Sequence, residues 1–235
     1  QHSFIEAAKS KAYDVLLMDG QLDPHFINHL EQKLKDTRFS RVDADVVDKL
    51  IEKEDRKTEQ LDENERTDLS SVFESQLPDK SRFFVSFEAL GENSSPVTIT
   101  QSEFMRRMKD MSALGGTAGF YGNMPDHYNM VVNTDHPLVK RIMDEKNKKT
   151  GEKLEKITTQ LSPLREEKEK LQQAEKSKKD EEIPQADKDR MEELDKEIAE
   201  IEKKKNSLLS DFGSKNKVLK QLIDLALLSN NMLKG

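Results

Sequence analysis

Cysteine and tryptophan are absent from this 235-residue chain, and only 6% of its residues are aromatic. Without thiols there is no disulfide framework, no thiolate zinc site and no cysteine nucleophile, and the absence fits a reducing, cytoplasmic setting. Long apolar runs are missing as well: nothing approaches the roughly 18 to 20 residues that cross a bilayer, and Gln1 opens no basic-then-apolar export pattern. No membrane contact is expected. Charge, by contrast, is plentiful, with 36% charged residues against 34% hydrophobic ones. That balance is too polar for one packed core throughout, so part of the chain must be extended or solvated. The net charge of −7 comes from intermixed signs, which offers no concentrated basic face for phosphates and argues against a nucleic-acid partner.

Texture changes along the chain. Residues 4–12 read as a helix, 13–18 (Tyr-Asp-Val-Leu-Leu-Met) as a short buried strand, and a second helix begins near Pro24 with Asp23 as its N-cap. This is an α/β edge, the tail of a larger domain. Val46, Val47, Leu50 and Ile51 give one helical stripe, after which 52–68 is a charged linker or solvated helix. Leu69, Val72, Phe73 and Gln76 restore a helical face that Pro78 stops. Residues 83–87 and 97–100 read as strands joined through the turn-rich 91–96, and 128–132 as a third strand. Thr134 or Asp135 would cap a helix carrying Val139, Ile142 and Met143. The fold class expected is α+β, a small mixed sheet covered by helices.

From 151 to 212 sparse aliphatics sit in a charged background at steps of three and four. Leu154, Ile157, Leu161, Leu164, Lys168 and Leu171 form one heptad seam; Met191, Leu194, Ile198, Ile201, Lys205 and Leu208 form another. Folded back antiparallel, Leu154 faces Leu208, Leu161 faces Ile201 and Leu171 faces Met191, so the seams register layer by layer. This predicts an inserted antiparallel coiled-coil hairpin with its turn near Glu181, Asp187 capping the return helix, and a kink or restart at Pro163 capped by Ser162. A last amphipathic helix carries Leu219, Leu222, Ile223, Ala226 and Leu227 and ends near Asn230.

No catalytic pattern emerges. His25 and His29 stand one helical turn apart without an HExxH glutamate, and read as a solvated pair. His127 and His136 flank a strand with no nucleophilic serine beside them. Gly115, Gly116, Gly119 and Gly122 match neither phosphate-binding glycine spacing. The unusual stretch is 102–114, capped by Thr100 or Ser102. On a helical wheel Phe104, Met108 and Met111 fall within about 60° of one another, while Arg106, Lys109 and Asp110 point elsewhere. Periodicity alone favours a core stripe. Methionine's adaptability and the glycine-rich segment that follows favour a displayed surface, the reading taken further.

Several segments, in order, resemble the C-terminal domain of the ninety-kilodalton heat-shock chaperones of bacterial HtpG type. They are 96–100, the Met helix, Asn123-Met-Pro125, 128–139 with its Asn-x-Asp-His at 133–136, and 222–229 with its Ala-Leu-Leu-Ser. Residues 5–18 followed by Leu22-Asp-Pro24 resemble the end of that family's middle domain. The division implied is 1–52 as the end of the middle domain, 53–80 as charged linker and helix, and 81–235 as the C-terminal domain with an insertion at 148–212. The resemblance implies a dimeric, ATP-driven chaperone that grips non-native client proteins. Client contact would map onto Phe104, Met105, Met108, Met111 and Leu114, and dimerisation onto Leu219, Leu222, Ile223, Ala226 and Leu227. ATP and magnesium belong to the parent's upstream domain, so this chain is expected to hold no cofactor or metal and to be no enzyme. The insertion departs from the family pattern, and so does the stop at Gly235, where a second dimer helix would follow. The alternative is a scaffold whose coiled-coil finger docks one specific partner.

Overall fold

The computed structural model describes residues 2–20, 22–45, 61–101, 126–176 and 184–233. The apolar stripe at 46–51, the Met-bearing helix, the glycine-rich loop at 115–122, Asn123-Met-Pro125 and the fold-back turn near Glu181 all lie outside the described residues. The chain divides into two units. The first comprises Gln1–Asp62, Leu77–Val139 and Gln221–Gly235; the second comprises Glu63–Gln76 and Lys140–Lys220.

In the first unit, helix α1 spans His2–Ser10 and ends where Ala12 turns left-handed at φ 58°, letting Tyr13 N donate to Ala8 O at 3.1 Å. The expected strand at 13–18 does not form: the segment carries no regular structure, and Leu16 and Leu17 are 66% and 83% exposed. A strand exists only with a ladder partner, and the described residues offer this one none. Helix α2, Asp23–Lys33, has Pro24 in its first turn as expected, yet Leu22 occupies the N-cap position. Asp23 is instead occupied by the preceding turn, its carboxylate accepting Gly20 N at 2.7 Å.

The sheet has strands β1 (Phe83–Glu88), β2 (Val97–Thr100) and β3 (Tyr128–Asn133) in the order β1-β3-β2. Strands β1 and β2, consecutive in sequence, are therefore not neighbours: β1 runs parallel to β3 and β2 antiparallel to it. One face of the sheet is apolar and buried, although the central strand buries Val131 on its other face too. Val85, Phe87, Met130, Val132, Val97 and Ile99 share the apolar face and are all buried.

In the second unit, α3 (Glu63–Glu74) extends the expected Leu69-Val72-Phe73 face backwards into the charged stretch, and all three side chains are buried. Helix α4, Pro137–Lys176, runs unbroken through Pro163, which overturns the expected restart there. Ser162 does not cap; its hydroxyl donates to Thr158 O at 3.0 Å within the continuing helix. Helix α5 is Gln185–Lys215, and Asp187 sits in its first turn rather than at its cap, which is Pro184. Helix α6, Lys217–Ser229, whose residues from Gln221 onward belong to the first unit, starts at a break where Asn216 Oδ1 accepts Leu219 N at 3.0 Å. It closes at Asn231, φ 56°, with Met232 N donating to Leu227 O at 2.8 Å.

Ion pairs place α4 and α5 side by side. Arg165 meets Glu202 at 2.7 Å, Lys168 meets Asp195 at 2.5 Å, and Glu167 takes two hydrogen bonds from Arg190 at 2.8 and 3.0 Å. Arg165 pairs with Glu202, whereas Glu167 and Lys168, later in α4, pair with Arg190 and Asp195, earlier in α5. Of the seam residues, Leu154, Leu161, Leu194 and Ile198 are buried, while Ile157, Leu164, Leu171, Met191, Ile201 and Leu208 are half-buried.

Candidate functional site

The Asn-x-Asp-His signature at the end of β3 organises backbone. Asn133 is 0% exposed, and its Oδ1 accepts Leu90 N at 3.0 Å and Asp135 N at 3.1 Å. Its Nδ2 donates to Gly91 O at 2.8 Å, and Asp135 Oδ2 accepts Gly91 N at 2.9 Å. Gly91 sits at φ 83°, a conformation that suits glycine. One Asn and one Asp thus tie the β1–β2 connection to the β3 exit. Because Asp135 is spent on Gly91, and Thr134 donates its hydroxyl and backbone N–H to Glu88 O, neither caps α4 as expected. His136 does so: its Nδ1 accepts Leu138 N at 3.2 Å, with Pro137 as the first helical residue.

The five residues expected to mediate dimerisation, Leu219, Leu222, Ile223, Ala226 and Leu227, are all buried within the single chain. Helix α6 leaves another face open, where Leu225 and Leu228 are 62% and 57% exposed. A search for one stripe overlooks this second face. The signal was the run Leu225-Ala-Leu-Leu228, which puts aliphatic side chains on both sides of a helix. The client-contact candidates Phe104, Met105, Met108, Met111 and Leu114 lie outside the described residues.

On the α4–α5 pair several charged side chains are paired across the two helices. Arg190 holds Glu167 and Glu193, the latter at 3.0 Å. Hydrogen bonds from Arg190 press the Glu167 carboxyl below its usual range, and Glu167 foremost, then Glu193, hold the guanidinium still more firmly protonated. Lys205 breaks the seam for a different reason. Its Nζ lies 2.6 Å from Asp68 Oδ1 on α3, both side chains nearly buried, in an ionic contact whose angle is poor for a hydrogen bond.

His25, His29 and His127 are exposed. Among the described residues no group of three or more His, Cys, Asp or Glu could hold a metal ion, and no helix is long and apolar enough to cross a membrane.

Residues 1–162 match the protein family described as Hsp90 protein. Over 237 aligned residues the chain is 50% identical to the chaperone protein HtpG of Bacteroides fragilis strain 638R. It is 49% identical to that of Bacteroides thetaiotaomicron and 44% identical to that of Porphyromonas gingivalis. These alignments take in 100% of this chain and 35% of each relative, so the chain spans about a third of their length. The similarity to these relatives continues through α5 and α6, whereas the family match ends inside α4. No solved structure matches the chain. With residues 1–162, more than half of the chain, matched to the family, the chain belongs to the Hsp90 family.

Proposed function

We propose that this chain is the C-terminal part of an ATP-dependent molecular chaperone that binds non-native proteins and dimerises. The observation that carries the reading is the 50% identity, along the whole chain, to a protein named as a chaperone. Residues 1–52 end a middle domain and 81–235 form the C-terminal domain. The ATP and magnesium chemistry belongs to a part of the parent outside this chain, so the chain acts by binding and not by turnover, in the cytoplasm, without nucleic acid or membrane.

Client contact rests on Phe104, Met105, Met108, Met111 and Leu114, where non-directional apolar burial on a soft surface suits partners of no fixed shape. Dimerisation uses α6. Leu219, Leu222, Ile223, Ala226 and Leu227 form its inner face, and Leu225 and Leu228 the apolar outer face that a second copy would cover. Residues 148–212 form an inserted antiparallel coiled coil, supported by the buried seam leucines and the cross-helix ion pairs.

Replacing Met108 and Met111 with Ser tests the client site. Affinity for an unfolded client should fall while circular dichroism and melting temperature stay nearly unchanged. A melt lowered by many degrees would identify these side chains as core, at the roughly 2–5 kcal/mol of truncating a buried Met. Shortening the arm separates the chaperone from the scaffold reading. Removing 151–212 would also strip α3 of its contacts with Lys205, Asn206 and Ser210, so the cut belongs further out, between 161 and 201. The chaperone keeps aggregation suppression after that cut; a scaffold loses its partner.

A further inference from the structure

Helix α3 stands, in sequence, between the N-terminal segment and β1, yet its contacts are with α5. From Asp68 through its end and on to Gln76 the chain runs parallel to α5 and meets it repeatedly. Lys205 pairs with Asp68 at 2.6 Å, and Ser71 Oγ donates to Asn206 Oδ1 at 3.1 Å. Gln76 Nε2 donates to the carbonyls of Gly213 and Ser214 at 2.8 and 3.0 Å, in the last turn of α5. At Gly213 a Cβ would overlap the Val72 carbonyl and Ser75 Oγ, so the two backbones touch there as closely as only glycine permits. Helix α4 closes the base from its own side: Lys149 lies 5.8 Å over the Phe212 ring, and Asn216 Nδ2 donates to Glu145 at 3.2 Å.

We propose that α3 is the seat of a lever whose arm is the α4–α5 pair, so that a load on the arm is delivered to α3. The joint is built for rigidity. A nearly buried ion pair holds one end and a side-chain amide clamp on two carbonyls holds the other, and between them lies a glycine contact against backbone that no rotamer change can relieve. The arm's described surface carries cross-helix ion pairs and no large exposed apolar side chain between 140 and 220. Rigidity at the base, and not stickiness along the shaft, is what this construction provides.

The absence of cysteine makes the test direct, because paired labels can be introduced without background. Spin labels at Asn64 and Lys204, and at Asn64 and Lys153, all exposed positions, should each give one narrow distance distribution. Hydrogen exchange on Lys205→Met should show α3 and 205–215 losing protection together, by about tenfold or more, with β1 to β3 unchanged. Asp68→Leu combined with Lys205→Met should restore it. Broad or multiple label distances, or α3 opening while 205–215 stays protected, would overturn the lever. If Lys205→Met does not fold, the label distances, which disturb no buried group, decide alone.

Discussion

At Ala12 the chain accepts left-handed backbone, φ 58°, in order to end α1 and let Tyr13 N reach Ala8 O. An L side chain pays about 1–2 kcal/mol there and glycine does not, so Ala12→Gly should raise stability by about 1 kcal/mol in chemical denaturation after the flexibility of unfolded glycine is subtracted. Asn133 works in the opposite sense. Its buried amide satisfies Leu90 N, Asp135 N and Gly91 O at once. Asn133→Ala strands buried groups and should cost about 2–4 kcal/mol, with Asn133→Asp recovering only the two donor contacts. A denaturation midpoint unchanged in Asn133→Ala would show that water replaces the amide.

Between elements the informative pair is Arg190 with Glu167, which crosses from α5 to α4 with two hydrogen bonds. The carboxyl is held below its ordinary value of 4.5, chiefly by the Arg190 hydrogen bonds. A depressed carboxyl stabilises the fold above its unfolded value and loses that contribution as pH falls through the folded one. Melting of the helical signal should therefore drop in wild type as pH goes below about 4.5, and Glu167→Gln should narrow the gap between neutral and acid melts. Both groups are partly open to water, so the effect is modest and salt should shrink it. An equal acid drop in Glu167→Gln would place the pH sensitivity elsewhere.

For the whole molecule, the dimerisation proposed for α6 can be tested apart from folding, because the helix has one buried and one exposed apolar face. Leu222→Ser should lower the melting temperature, since that side chain is buried in its own protomer. Leu225→Ser with Leu228→Ser should leave the melt of the monomer alone and weaken self-association by about 2 kcal/mol per side chain, measured by sedimentation over a concentration range. Unaltered association in the second variant would move the dimer contact off this face.

Spacing and punctuation in the sequence determined much of this protein. Period-two apolar runs marked β2 and β3 to within a residue, a three-four rhythm marked both long helices, and Asn230-Asn231 marked the end of α6. These are local: each needs only a backbone preference and one buried side. What only the tertiary structure decided is which groups find each other. Tyr13-Asp-Val-Leu-Leu-Met18 has a strand's composition but no ladder, because the hydrogen bonds that make a strand belong to a partner. Pro163 passes through α4 because burial of Leu161 and the ion pairs of Arg165 and Lys168 with α5 outweigh one missing amide hydrogen bond. Lys205 occupies a position of the coiled-coil seam in the sequence, and only the fold sets Asp68, far away in sequence, beside it. Pairings across such distances depend on how far chain entropy has already been overcome by the rest of the fold, and no local pattern carries that information.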